Sequence, residues 1–308
     1  MNEKNLELIN QEYKKLYISK EYQLGQKILE LYYYIKYAKF ITLFKVIFQY
    51  HKRKKYVYAK DNYHNKELFK KNSNYIIKTF DKDERIAIYT VNIGNYDDII
   101  QPLFISDNVD YYYVSDKKPS NLGIWKWINA NLYINDNNLS NVKKARYIKT
   151  HPHLLFKNYR YSIFIDCNIR IITDVTKFIG NINKKTKIAA HLHPYRDCIY
   201  KEAYSCKYSR RGNYKVIKNQ ISRYESEGMQ KNYGLFETGV LIREHNNKNC
   251  IKIMNFWWNE IKNKSERDQL SLTYTLWKNG YSSNDIGIIC QSINDNPTIQ
   301  IIYHKDKH

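Results

Sequence analysis

Asp166 closes the apolar run Tyr161-Ser162-Ile163-Phe164-Ile165, where a strand would hold its carboxylate rigidly at a sheet edge. A carboxylate so placed either ligates a divalent metal bridging two phosphates or initiates a turn. Asn168, two residues on, adds a neutral oxygen, although a D-x-N spacing alone discriminates poorly. Upstream, Lys143, Lys144, Arg146 and Lys149 lie on a helical pattern that leads into this run. Arg146 suits phosphate best, because its planar fork grips two oxygens at once; the three lysines read equally well as a solvated helix face. Downstream, Glu237 and Gly239 stand at the entrance to another strand-like run, and the glycine lets a ligand approach the backbone. Asp268 and Gln269 open a helix. There an acid is favoured by the macrodipole, and the pair is also an acceptor and an amide suited to sugar hydroxyls.

Histidines concentrate in His151-Pro152-His153 and His191-Leu192-His193-Pro194, the second followed by Arg196 and Asp197. A histidine beside Arg and Asp at a strand end can act as an acid/base or hydrogen-bond substrate hydroxyls, so His193, Arg196 and Asp197 are acceptor-binding candidates. H-E-x-x-H is absent, which disfavours hydrolytic zinc, and neither G-x-S-x-G nor a Walker-type loop occurs. The five cysteines contain no C-x-x-C pair, so neither a disulfide framework nor a zinc site is written here. A reducing, cytoplasmic compartment fits that usage.

Positioning these groups requires alternating strands and helices. Strand-like runs cover 86–91, 110–114, 161–166, 187–191 and 238–243. Helical periodicity covers 141–156, 214–225, 250–262 and 266–278. Strands separated by helices of this length predict an α/β domain with a mostly parallel sheet flanked by helices on both faces. In such sheets ligands bind beyond the carboxyl ends of the strands. That rule selects the Asn92–Asp98 turn with Asn95 in it, then Asp116, then Asp166 and Asn168.

The chain has 308 residues, 43% hydrophobic and 26% charged, which is enough apolar side chain for a packed core. Its net charge of +21 either attracts an anionic partner or reflects a composition rich in Lys, Asn, Ile and Tyr. The first 80 residues hold 17 Lys/Arg against 7 Asp/Glu and carry a helical pattern from Ile28 to Ile47, ahead of the cluster His51-Lys52-Arg53-Lys54-Lys55. We expect a basic helical appendage over 1–80 and a second domain over 81–308. The appendage either lies on an anionic membrane surface or packs on the main domain. Charged residues interrupt its most apolar stretch, and no signal-peptide pattern opens the chain. A cytoplasmic protein, peripheral at the inner face of the membrane, is the expectation.

Taken in order, five segments resemble a known family. They are Tyr89-Thr90-Val91-Asn92-Ile93-Gly94-Asn95-Tyr96-Asp97, Gly123-Ile124-Trp125-Lys126, Tyr161 to Asn168, His193 to Ala203, and Arg267-Asp268-Gln269-Leu270-Ser271. The family is glycosyltransferase-like, of the A-type fold, and includes plant mucilage-related hexosyltransferases and bacterial polysaccharide-locus proteins; the likeness spans about residues 85–280. It is similar in turn to the retaining galactosyltransferase and glycogenin group, where a D-x-D ends a strand, F-N-x-G-V lines the donor sugar and D-Q lies near the reacting carbon.

The resemblance implies an enzyme that moves a hexose from a nucleotide sugar, a UDP-sugar above all, to a saccharide or lipid-linked acceptor in surface polysaccharide synthesis. Asp166 falls on the first acid of D-x-D, Glu237 on the Asn of F-N-x-G-V, and Asp268-Gln269 on D-Q as the catalytic pair. Tyr89 and Thr90 would lie beside the base, with Asn95 also in the donor site and Arg146 beside the diphosphate. His304 would be a late metal ligand, joining Asp166. Asn168 replaces the second acid, which puts dependence on Mn²⁺ or Mg²⁺ in question and leaves basic side chains to neutralise the leaving diphosphate. If configuration is retained, attack comes on the leaving-group face near Glu237 or Asp268; if it is inverted, Asp268 is the base. A catalytically inactive sugar-binding or scaffolding protein is the alternative. No nucleic-acid recognition motif is present, so nucleic acid is not an expected partner.

Overall fold

The computed structural model describes residues 3–19, 21–22, 24–25, 65, 67, 84–209 and 211–302. The helical pattern expected over 28–47 and the basic cluster at 51–55 lie outside them, as does His304. The described helices are α1 (Glu3–Ile18), α2 (Asn141–Thr150), α3 (Pro152–Leu155), α4 (Ile199–Ser209), α5 (Tyr214–Ser226), α6 (Lys248–Asn263) and α7 (Gln269–Lys278). The strands are β1 (Ile86–Asn92), β2 (Val109–Ser115), β3 (Lys126–Asn129), β4 (Tyr161–Ile165), β5 (Ile169–Ile171), β6 (Ile188–Leu192), β7 (Phe236–Arg243), β8 (Gly287–Ile288) and β9 (Ile299–Ile301).

Seven strands form one sheet in the order β3-β2-β1-β4-β7-β6-β8. β1 pairs in parallel with β2 and β4, β2 with β3, and β6 with β8, whereas β7 runs antiparallel to both β4 and β6. The sheet is therefore mostly parallel and flanked by helices, as expected, with one reversed strand. Every residue of β1 is buried, which is why it reads as an unbroken apolar run. Its odd and even residues feed two cores. Ala87, Tyr89 and Val91 pack with Ile148 of α2, Trp257 of α6 and Leu276 of α7. Ile86 and Ile88 pack instead with Ile163, Val175, Val240 and Ile299. On that second face the cover is the β5–β9 pair and the 3₁₀ turn Thr176–Asn181, whereas the sequence pattern predicts helices on both faces.

The helix expected over 141–156 is two helices, because Pro152 lacks an N–H and disfavours helical geometry at His151. Ser140 caps the first, its Oγ accepting from the Lys143 N–H at 3.2 Å.

Candidate active site

The carboxyl ends of β1 and β4 open into a cleft of about 640 Å³. Asp166, one residue past β4, lines it, its backbone N–H donating to the Gly239 carbonyl at 2.8 Å. Because β7 is reversed, its amino end lies at the same rim as the carboxyl ends of its neighbours, and this brings Glu237 and Thr238 to the cleft. Gly239 is needed here: a Cβ at this position would stand 2.9 Å from Ile293 Cδ1 and 3.1 Å from Asp166 Oδ2.

From the helix side, α2 presents Arg146 and Lys149, three residues apart and so on one face. Asp268 holds the N-cap of α7, with its carbonyl tied by the Trp257 Nε1–H at 2.9 Å. Lys149 Nζ lies 2.6 Å from Asp268 Oδ2 and 3.9 Å from Asp166 Oδ1; Arg146 lies 3.4 Å and 3.9 Å from the same two atoms. Thr238 Oγ1 donates to Asp268 Oδ2 at 3.0 Å. Two cations and two carboxylates thus interlock. Burial opposes the ionised form of Asp268, yet Arg146 and Lys149 outweigh it and hold its carboxyl well below the usual range. Asp166 goes the other way: burial raises it against the pull of Lys149 and Arg146. Burial lowers the Lys149 ammonium, opposed by Asp268 and Asp166. Lys149 is 1% exposed, so it is not part of a solvated face, unlike Lys143, which reaches the Lys262 carbonyl at the surface. Glu237 accepts the Ile293 N–H at 2.6 Å, and burial raises its pKa to about 8 despite that bond.

Arg146, Asp166, Asn168, Glu237, Asp268 and Gln269 all line this one cleft. Gln269 Nε2 is buried there without a hydrogen-bond partner, as a donor available to a ligand, while Arg146 Nε is turned to Asp268 Oδ2. Asn95 lines a neighbouring hollow of about 590 Å³ at the ends of β1 and β2, which shares Asn92 and Asp97 with the cleft. Asn92 fixes that junction, donating to Tyr113 Oη at 2.7 Å and to the Asp97 carbonyl at 2.6 Å while accepting the Tyr96 N–H at 2.9 Å.

Five other candidates lie elsewhere. Tyr89 is fully buried, its hydroxyl donating to the Lys149 carbonyl at 2.9 Å, so it faces the core and not a nucleotide base. Thr90, on the opposite side of β1, lines a separate small cavity beside Trp125. His193, Arg196 and Asp197 are also buried and outside the cleft lining. Arg196 lies 2.6 Å from Glu202, and Glu202 lies 3.7 Å from Arg267, which does line the cleft. Burial lowers His193 to about 4 even though Glu202 opposes it. These polar residues are therefore internal supports. Arg211 and Arg267 line the cleft and were not singled out; Arg267 adjoins the Asp268-Gln269 pair, the one signal that pointed to it.

Among the described residues no group of three or more His, Cys, Asp or Glu could hold a metal ion. Asp166 and Asn168 offer two protein oxygens, so a divalent ion held there would take the rest of its shell from phosphate and water, beside two cations 3.9 Å from Asp166. His304, the other expected ligand, lies outside the described residues.

The structure is similar to several glycosyltransferases at low identity. The galactosyltransferase LgtC, solved with donor and acceptor sugar analogs, is 11% identical with a TM-score of 0.36, over 60% of this chain and 69% of that one. Mouse xyloside xylosyltransferase 1 is 7% identical with a TM-score of 0.38, over 65% and 83%. The mannosyltransferase Ktr4p of S. cerevisiae is 10% identical with a TM-score of 0.34, over 68% and 70%. No curated protein matches the sequence. Residues 104–289, which span β2 to β8 and hold most of the cleft, match the TOD1/MUCI70 glycosyltransferase-like domain, and the chain belongs to that family.

Proposed function

We propose that the protein moves a hexose from a UDP-sugar to a saccharide or lipid-linked acceptor in surface polysaccharide synthesis. The observation that carries this reading is the convergence of Arg146, Asp166, Asp268, Gln269 and Glu237 on one cleft, with Gln269 Nε2 left as an unpaired donor. In sugar transfer, negative charge grows on the departing diphosphate, and fixed cations in a partly enclosed site stabilise it strongly. Arg146 and Arg267 supply that charge, backed by Lys149. Gln269 and Glu237, the latter protonated at neutral pH, offer donors to sugar hydroxyls. The hollow at Asn95 and Asp116 is the place for the nucleoside.

Asp268 is a poor general base, since Arg146 and Lys149 keep it ionised and engaged. The acceptor therefore attacks on the leaving-group face: its oxygen bonds to the anomeric carbon as the bond to phosphate breaks, and its proton passes to the departing phosphate oxygen. Among the described residues no helix is long and apolar enough to span a membrane. Attachment to an anionic inner leaflet is part of the proposal, supported by the exposed Leu8, Ile9 and Leu16 of α1 and the net charge of +21.

The test is a panel of nucleotide sugars and acceptors, with release of nucleoside diphosphate as readout. One donor should turn over, EDTA should leave at least half the rate, and Asp166→Ala should remove more than nine-tenths of it. Tight nucleotide binding without turnover for any pair would replace the proposal with an inactive sugar-binding protein. Loss of activity in EDTA, restored by Mn²⁺, would overturn the metal-free reading of the cleft.

A further inference from the structure

α1 meets the rest of the chain through a polar stripe. Glu7, Asn10 and Lys14 are spaced by three and four residues and so share one helix face. Glu7 Oε1 accepts from Thr173 Oγ1 at 2.9 Å and from Lys177 Nζ at 2.6 Å. Asn10 Nδ2 donates to the carbonyls of Pro297 and Ile299 at 2.8 and 3.0 Å. Lys14 Nζ donates to the Asn296 carbonyl and lies 3.5 Å from that of Ile293.

Three of the four carbonyls on the Asn10 and Lys14 side belong to the turn that leads into β9, and the fourth, that of Ile299, opens the strand. Ser292 Oγ braces this turn by donating to Asp295 at 2.6 Å, and Asn296 Nδ2 lies 2.9 Å from His191 Nε2. Ile293 and Ile301 carry the same segment into the cleft wall. The N–H of Ile293 bonds Glu237 Oε2, while its carbonyl faces Lys14. A single residue thus joins the N-terminal helix to an active-site carboxyl.

We propose that Lys14 is a positioning residue for Glu237: by holding the carbonyls of Ile293 and Asn296 it fixes the turn whose N–H orients that carboxyl, which makes α1 part of the active-site scaffold. The activity arm of this inference rests on the transferase reading; the geometric arm does not. Lys14 is faced by Cys290 and Asp295, with His191 nearby, and Glu237 by Asp295 and Glu202. Burial pulls Lys14 down to about 8 and pushes Glu237 up to about 8, and the Ile293 N–H is the one contact that favours the ionised form of Glu237. Loosening the turn must therefore make Glu237 hold its proton more tightly.

The experiment titrates the full chain carrying ¹³C-carboxyl glutamate, with the Glu237 resonance assigned by its loss in Glu237→Gln. Lys14→Met should tighten proton binding at Glu237 about tenfold. Lys14→Arg, which keeps a cationic donor, should restore the wild-type midpoint. With an active donor, Lys14→Met should lower kcat about tenfold and leave the donor KM within twofold. If Lys14→Met does not fold, Asn10→Ala, which removes the adjacent anchor, should shift the same resonance in the same direction by less. An unmoved Glu237 midpoint in a folded variant overturns the proposal. Absence of turnover in the wild type would defeat the transferase reading alone, since the titration still decides the role of Lys14.

Discussion

Lys149 and Asp268 form the most demanding contact in the cleft, because two charges have been withdrawn from water and are 1% and 3% exposed at the side chain. Pairs of this kind contribute little net stability, yet removing one partner leaves the other charge buried and costs about 3–5 kcal/mol. Asp268→Asn should show a loss of that size in urea unfolding, and Lys149→Met a smaller one, because Asp268 keeps Arg146. The double variant should cost less than the sum of the two, and strictly additive losses would mean that the pair is not coupled. The sequence disclosed this site unevenly. Strand ends and helix starts pointed to Asp166 and Asp268 through backbone geometry that sequence does record. Lys143, Lys144 and Lys149 look alike on one helix, and only packing against Phe164 and Trp257 separates the buried one. Polar type misled at Tyr89, His193, Arg196 and Asp197, which are buried among partners that come from distant parts of the chain. Asn65 shows the limit: its amide nitrogen donates to the carbonyls of His193, Arg196 and Leu235, all more than 120 residues away.

At the level of elements, the rim depends on β4 and β7 lying close enough for Asp166 to sit against a residue without a side chain. Gly239→Ala would place a methyl 3.1 Å from Asp166 Oδ2 and 2.9 Å from Ile293 Cδ1. The Ile293 methyl can yield, but the carboxylate is held from its other side by Arg146 and Lys149. Overpacking of this kind costs about 1–3 kcal/mol in stability. The larger effect should fall on turnover, with kcat down at least tenfold while the fold persists; a rate within twofold of wild type would show that the close approach is not needed. The long buried strands were readable because their apolar runs are β-branched and continuous. β5, β8 and β9 have two or three residues each, too few for any period to register. α4 has no counterpart among the helices expected from the sequence, because the apolar stripe of IYKEAYSCKYS is short, Ile199, Ala203 and Cys206, with Glu202 and Ser205 buried beside it. The reversal of β7 leaves no trace in local sequence, since strand direction is set by the connections, and that reversal is what delivers Glu237 to the rim.

Across the whole molecule, buried histidines couple stability to pH. Burial lowers His151, His193 and His245 to about 4 and His191 to about 3, from an ordinary value near 6.5. The unfolded chain therefore binds more protons than the native state between those values, and stability falls as pH drops through 6.5 toward 4. Each histidine costs about 2 kcal/mol on going from pH 7 to pH 5. Glu237 acts in the opposite sense: with its native value raised to about 8, it stabilises the fold as pH falls from 8 toward its ordinary range. Over the same interval that offset is about 2–3 kcal/mol, so the four histidines outweigh it. The melting temperature should drop by about 10 °C or more between pH 7 and pH 5. Glu237→Gln should make the drop steeper, because it removes a compensating carboxyl. A melting temperature that stays level or rises over this interval would mean that the histidines are protonated, and so hydrated or paired, in the native state.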